Sequence, residues 1–184
     1  MTLATSTVRA LGALSAGLLT LGMLSACTPT PEPDPKPTKT ALFASDKEAF
    51  KAAEETYRAY TDALNNVDTS DPGTFEPMFA YATGDFLAAD KKTFSELHAE
   101  KLTMIGAMKL AQFKGIESVP PYDEVSAIVC VDVSGTDVVD AAGVSQVAPD
   151  RPDMNALTVT FTASPDRLLI AHATRAEDSA CTSQ

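Results

Sequence analysis

The residues best suited to chemistry in this 184-residue chain are two phenols and a carboxylate. Tyr57 and Tyr60 stand three apart, and Asp132 stands between Val131 and Val133. A carboxylate beside a phenol in an apolar pocket is equipment for proton transfer, the one as base and the other as donor to a developing oxyanion. Tyr57, Tyr60 and Asp132 are therefore the candidate lining of a cavity. Their settings argue against catalysis. Asp132 alternates with the valines, which places it at the solvent side or rim of a sheet, and both tyrosines recur at the spacing of a helix's buried face. No catalytic residue is assigned. His98 falls late in an exposed helix, where a basic side chain suits the helix dipole. His172 shares a strand face with Leu168 and Ile170, so a hydrogen-bonded core or rim histidine is expected. No H-x-x-x-H or H-E-x-x-H cluster and no G-x-G-x-x-G or Walker pattern occurs, so neither metal nor cofactor is expected. The acidic pairs Asp123-Glu124 and Glu177-Asp178 lack an EF-hand loop around them.

The three cysteines divide into one and two. Arg9 precedes an uncharged, mostly apolar run from Ala10 to Leu24, and Leu24-Ser25-Ala26-Cys27 follows. The run is shorter than the roughly 20 residues a spanning helix needs and ends in small residues, so residues 1–26 read as a signal peptide. The tetrapeptide resembles the bacterial lipobox, which implies a diacylglycerol thioether on Cys27 and cleavage before it. The competing reading is an ordinary signal peptide that happens to end near a cysteine. Residues 27–42 read as the lipidated cysteine and a tether, with proline at 29, 31, 33, 35 and 37. Prolines so spaced favour extended, solvated chain. A proline-rich ligand is the other reading, but nothing aromatic or strongly basic flanks the run.

With Cys27 committed, Cys130 and Cys181 remain, and an oxidising exterior favours their pairing as a disulfide. Closing a ring of about 50 residues is worth roughly 4 kcal/mol by loop-closure entropy. Two free thiols or half a metal site compete with this. Neither cysteine belongs to a C-x-x-C pair, and no histidine lies close to either.

Loss of Arg9 with the leader leaves 13 of the 14 basic residues against all 25 acidic ones, a formal charge of −12. Nucleic acid is therefore not an expected partner, since phosphate binding needs clustered Lys and Arg. Anionic headgroups should repel the domain, so the lipid alone must make the membrane contact. The expected location is the extracytoplasmic face of the cell membrane.

Residues 43–184 are the right size for one domain. Ser45-Asp46-Lys47-Glu48 has the form of a capping box, and Phe50, Ala53, Tyr57, Tyr60 and Leu64 mark one helical face over about 46–65. A helical turn over 74–82 turns Phe75, Met78 and Phe79 inward. A second helix runs from Thr83-Gly84-Asp85 to about Lys101 and buries Phe86, Leu87, Phe94 and Leu97. The period then falls to two. Residues 104–113 read as one strand, 125–134 as a half-buried strand continued through 137–140 past a bend at Gly135, and 157–162 and 168–174 as a final pair. Helices followed by antiparallel strands make an α+β domain.

These elements resemble the NTF2-like cone fold, with N-terminal helices packed on a curved antiparallel sheet. More closely they resemble actinobacterial secreted lipoproteins of that fold. The matching stretches are LSAC, the proline-rich tether, YRAYTDALNNVD, TGDFLAADKKTFSEL, and IVCVDVSGTDVVDAAG with the late SAC at 179–181. The resemblance implies the same Cys130–Cys181 pairing that the cysteine count favours. Such domains often carry a tryptophan in the last strand. This chain has none, so Leu168-Leu169-Ile170 must fill that part of the core. The resemblance implies a cell-envelope lipoprotein with a non-catalytic binding or interaction domain, its partner an envelope protein or a small apolar ligand. An isomerase or dehydratase using the cone cavity is the alternative, and a purely structural surface domain is a third reading.

Overall fold

A computed structural model describes residues 41–181. Cys27, the cleavage point before it and the proline run lie outside the described residues. The first helix, α1 (Asp46–Leu64), starts at Ser45, whose Oγ accepts from the Glu48 amide at 3.3 Å. The Glu48 carboxylate reaches back to the amide of Ala44, one residue earlier than a capping box requires. Ala49, Ala53, Tyr57, Tyr60 and Leu64 form its buried face, whereas Phe50 is half-buried. After a 3-10 turn (Pro72–Thr74) and the one-turn α2 (Glu76–Phe79), the chain enters α3 (Gly84–Ala99). Phe75 and Met78 point inward as expected.

Six strands follow: β1 (Thr103–Ile105), β2 (Lys109–Ser118), β3 (Glu124–Asp132), β4 (Asp137–Val139), β5 (Met154–Ala163) and β6 (Leu168–Arg175). β2-β3-β5-β6 form one antiparallel sheet, and β1 pairs with β4 in a separate two-stranded ribbon. The domain is thus α+β, three N-terminal helices followed by an antiparallel sheet, as the sequence pattern requires. Residues 104–113 are not one strand, because the chain turns at Gly106, which has φ +80°. Its Cα lies so close to the Gly135 carbonyl that a Cβ there would come within 1.8 Å of the oxygen. Residues 137–139 likewise do not extend β3. They cross over to pair with β1 in the register Met104–Val138.

The core lies between the helices and one face of the sheet. Val125, Ala127, Val129 and Val131 of β3 are buried with Val159 and Phe161 of β5 and Leu168 and Ile170 of β6. The tryptophan-free last strand therefore fills the core with Leu168 and Ile170. Leu169 is paired with Thr162 and lies on the other face. Gly115 of β2 sits flat under Phe50, whose ring a Cβ would approach to 2.4 Å, so α1 rests directly on β2 backbone. The start of α3 is joined to β6: the Thr83 amide donates to the Ile170 carbonyl at 2.8 Å, and the Ile170 amide donates to Tyr81 at 2.9 Å.

On the outer face, Cys130 and Cys181 form a disulfide with Cα atoms 5.7 Å apart. Cys130 alternates with Val129 and Val131, so the bond lies across the sheet from the core. A 3-10 turn (Asp178–Cys181) brings the tail there, over Ala156, the residue paired with Cys130.

Candidate functional site

Across its 16 residues α3 fully buries a single side chain. Phe94 is 4% exposed, but Phe86, Leu87 and Leu97 are only half-buried, fewer full burials than the apolar stripe predicts. For Phe86 and Leu97 the reason is that α3 borders a cavity of about 400 Å³ that opens between it, α1, the β1–β4 ribbon and the near ends of β3 and β5. That volume is within the roughly 300–1,000 Å³ of small-molecule sites. Met104 and Val138, cross-strand partners in the ribbon, furnish one wall, and Val131 of β3, Val133 just beyond it and Leu157 of β5 furnish another.

Into this apolar wall α3 inserts Asp90. It stands four residues from both Phe86 and Phe94, so helical geometry puts it on the same face as the two rings. The Tyr60 hydroxyl donates to Asp90 Oδ2 at 3.0 Å. Burial pushes the Asp90 carboxyl up to about 6, while the hydrogen bond from Tyr60 opposes that rise. Tyr57, 3% exposed, lines the same cavity one helical turn earlier, and its hydroxyl has no hydrogen-bond partner among the described residues. Desolvation first, and the charge of Asp90 second, hold both phenols well above their ordinary range, so they stay protonated. The rings of Tyr57 and Tyr60 lie 5.9 Å apart, and Tyr60 meets Phe86 edge-on at 5.3 Å. Asn155 of β5 is the further amide in the wall. The result is an apolar chamber with one polar pole, able to orient a small molecule by hydrogen bonds.

Tyr57 and Tyr60 both line the cavity, and Asp132 does not join them. Its flanking residues Val131 and Val133 face the chamber, so alternation sends Asp132 the other way. There its Oδ1 accepts from the Ser134 hydroxyl at 2.7 Å and the Ser134 amide at 2.9 Å. Those two bonds hold its carboxyl below the usual range, with a small contribution from Lys109. It ends a strand and supplies no base. The carboxylate that matters, Asp90, was legible as an acid within the stripe Phe86, Phe94 and Leu97. It is one of many helical acids, and only the missing core opposite it sets it apart.

His172 is also corrected. A bulge at Ala171 in β6 pairs Ile170 with Phe161 but His172 with Thr160, which inverts the alternation. The imidazole is therefore exposed on the outer face. His98 is exposed near the end of α3, as expected, and its Nδ1 contacts the Thr69 carbonyl at 2.9 Å. Among the described residues no three His, Cys, Asp or Glu side chains gather as a metal site.

No protein-family model matches the chain, and no curated protein is similar to it in sequence. Solved structures are similar in backbone course. The intermembrane space region of the chloroplast protein ARC6 aligns over 68% of this chain and 95% of its own length, with 11% identity and a TM-score of 0.49. A protein of Novosphingobium aromaticivorans, provisionally named an aromatic ring hydroxylase, aligns over 71% and 89%, with 15% identity and a TM-score of 0.49. A protein from Catenulispora acidiphila aligns over 74% and 96%, with 14% identity and a TM-score of 0.47. None of these scores reaches 0.5, and what the cavity takes is read from its own residues.

Proposed function

We propose that this chain is a lipid-anchored binding domain of the cell envelope that takes a small, mainly apolar molecule into the cavity beside α3. The observation that carries this reading is the chamber of about 400 Å³ with apolar walls and a single polar pole at Tyr57, Tyr60 and Asp90. Apolar walls supply affinity through burial, and the few polar groups fix orientation. The Tyr57 hydroxyl, without a hydrogen-bond partner among the described residues, is the handle left for the ligand. Diacylglycerol on Cys27 would hold the protein at the outer face of the membrane, with the proline-rich run as spacer.

The test is titration of the full chain with the neutral fluorophore N-phenyl-1-naphthylamine. Saturable enhancement is expected, and Thr93→Trp, which fills the cavity from an exposed wall position, should abolish it. A wild-type signal that never saturates, or one indifferent to Thr93→Trp, sinks the reading.

One observation favours a second reading. A carboxyl raised to about 6 in an apolar chamber is suited to accept a proton from a bound carbon acid. That reading requires Asp90-dependent isomerisation of a β,γ-unsaturated ketone such as 3-cyclohexen-1-one. Equal rates for wild type and Asp90→Asn would dismiss it.

A further inference from the structure

The apolar wall sets no preference among ligands of similar shape, so the single charged group in the cavity decides what enters. That group is Asp90, and nothing in the wall balances it. Among the described residues lining the cavity there is no Lys, Arg or His. The lysines beside it on α3 are engaged elsewhere: Lys91 Nζ lies 5.6 Å from the centroid of the Phe79 ring, and Lys92 pairs with Glu96. The titratable groups that face Asp90 are the Tyr57 and Tyr60 hydroxyls of α1, both protonated. β1, β3, β4 and β5 face the cavity with apolar side chains and the amide of Asn155.

A carboxylate drawn partly out of water needs a counter-charge, and one that the protein omits is left for the occupant to bring. A neutral occupant would strip more water from Asp90 and return only a hydrogen bond. An anion would be repelled by Asp90 and by a chain of formal charge −11. A cation gains from both. The rings of Tyr57, Tyr60 and Phe86 line the cavity beside the carboxylate, and an aromatic face turned to the occupant would attract a cation as well.

We infer that the occupant is a small organic ammonium ion, its charge against Asp90 and its apolar part among Tyr57, Tyr60 and Phe86. This rests on the cavity being a ligand site, and it adds the chemical class of the ligand.

The experiment compares phenyltrimethylammonium with tert-butylbenzene, its uncharged isostere, by calorimetric titration of the full chain at pH 8 and pH 5. At pH 8 the cation should bind tighter by about tenfold or more, the order expected of a charge pair reinforced by aromatic faces. At pH 5, with Asp90 protonated, the margin should shrink severalfold. Asp90→Asn should reverse the order of preference at pH 8, and the wild-type pH comparison stands whether or not that variant folds. Tert-butylbenzene binding at pH 8 as tightly as the cation overturns the inference and leaves the apolar binding site in place. Neither compound binding overturns both.

Discussion

Tyr60 and Asp90 lie thirty residues apart in the chain and are joined by a hydrogen bond of 3.0 Å from phenol to carboxyl. That bond favours the ionised form of Asp90 and works against the burial that raises the group to about 6. Tyr60→Phe should therefore move the Asp90 midpoint above about 6, read from its carboxyl carbon by NMR titration. A midpoint that fell or stayed fixed would mean that the phenol does not support the carboxylate.

The same group sets a pH dependence of stability. Its folded value of about 6 exceeds the ordinary 3.8, so the folded state holds the proton more tightly. The stabilisation is complete below about pH 4 and is lost as pH rises through about 6. Asp90→Asn cannot ionise, so it should gain on wild type between pH 4 and pH 7. Screening of a group only partly buried reduces the expected gain to the order of 1 kcal/mol. Urea denaturation at the two pH values measures it, and a gain that grew toward low pH would contradict the sign.

Phe94 is the anchor of α3, with its ring 5.5 Å from Phe75 and 6.5 Å from Phe79. Phe94→Ala should cost about 3–5 kcal/mol, as full truncation of a buried phenylalanine does. A loss under about 0.5 kcal/mol in chemical denaturation would show that the ring is not part of the core.

Gly115 is required by contact, since a Cβ there would press to 2.4 Å against the Phe50 ring. Gly115→Ala should destabilise by about 1–3 kcal/mol, the usual cost of overpacking. Adding Phe50→Leu, which withdraws the ring, should recover part of that loss in a double-mutant cycle.

The disulfide ties the tail to β3, and beside it the Ala176 amide donates to the Ala156 carbonyl at 2.8 Å and Arg175 pairs with Asp178. Cys181→Ser should cost about 2–4 kcal/mol and open the tail to proteolysis. Non-reducing peptide mapping of exported protein should recover the Cys130 and Cys181 peptides joined. Two alkylatable thiols in the native sample would refute the bond.

For Cys27, membrane-extracted protein should have the mass of residues 27–184 plus a diacylglyceryl group. Recovery of a bare, freely secreted chain would leave the proposed anchor without support.

The sequence by itself determined the order of elements, the buried face of α1 and the face of β3 that carries Cys130. These are local consequences of periods near 3.6 and 2, which fix where a side chain points relative to its neighbours. The cysteine count also favoured the Cys130–Cys181 pairing, and the structure has that bond. What it could not determine was which surfaces meet. One extra residue at Ala171 turned His172 from the core side to the outside, and the close approach of Gly106 to Gly135 split one expected strand and made a separate ribbon. Alternation correctly turned Asp132 away from the core, yet nothing local singled out Asp90 from the other acids of its helix. Its role follows from what stands opposite it: Tyr60 from α1 on one side and, where a core would otherwise continue, the open chamber under the β1–β4 ribbon. That is a property of packing between elements distant in the chain, and only the tertiary structure decides it.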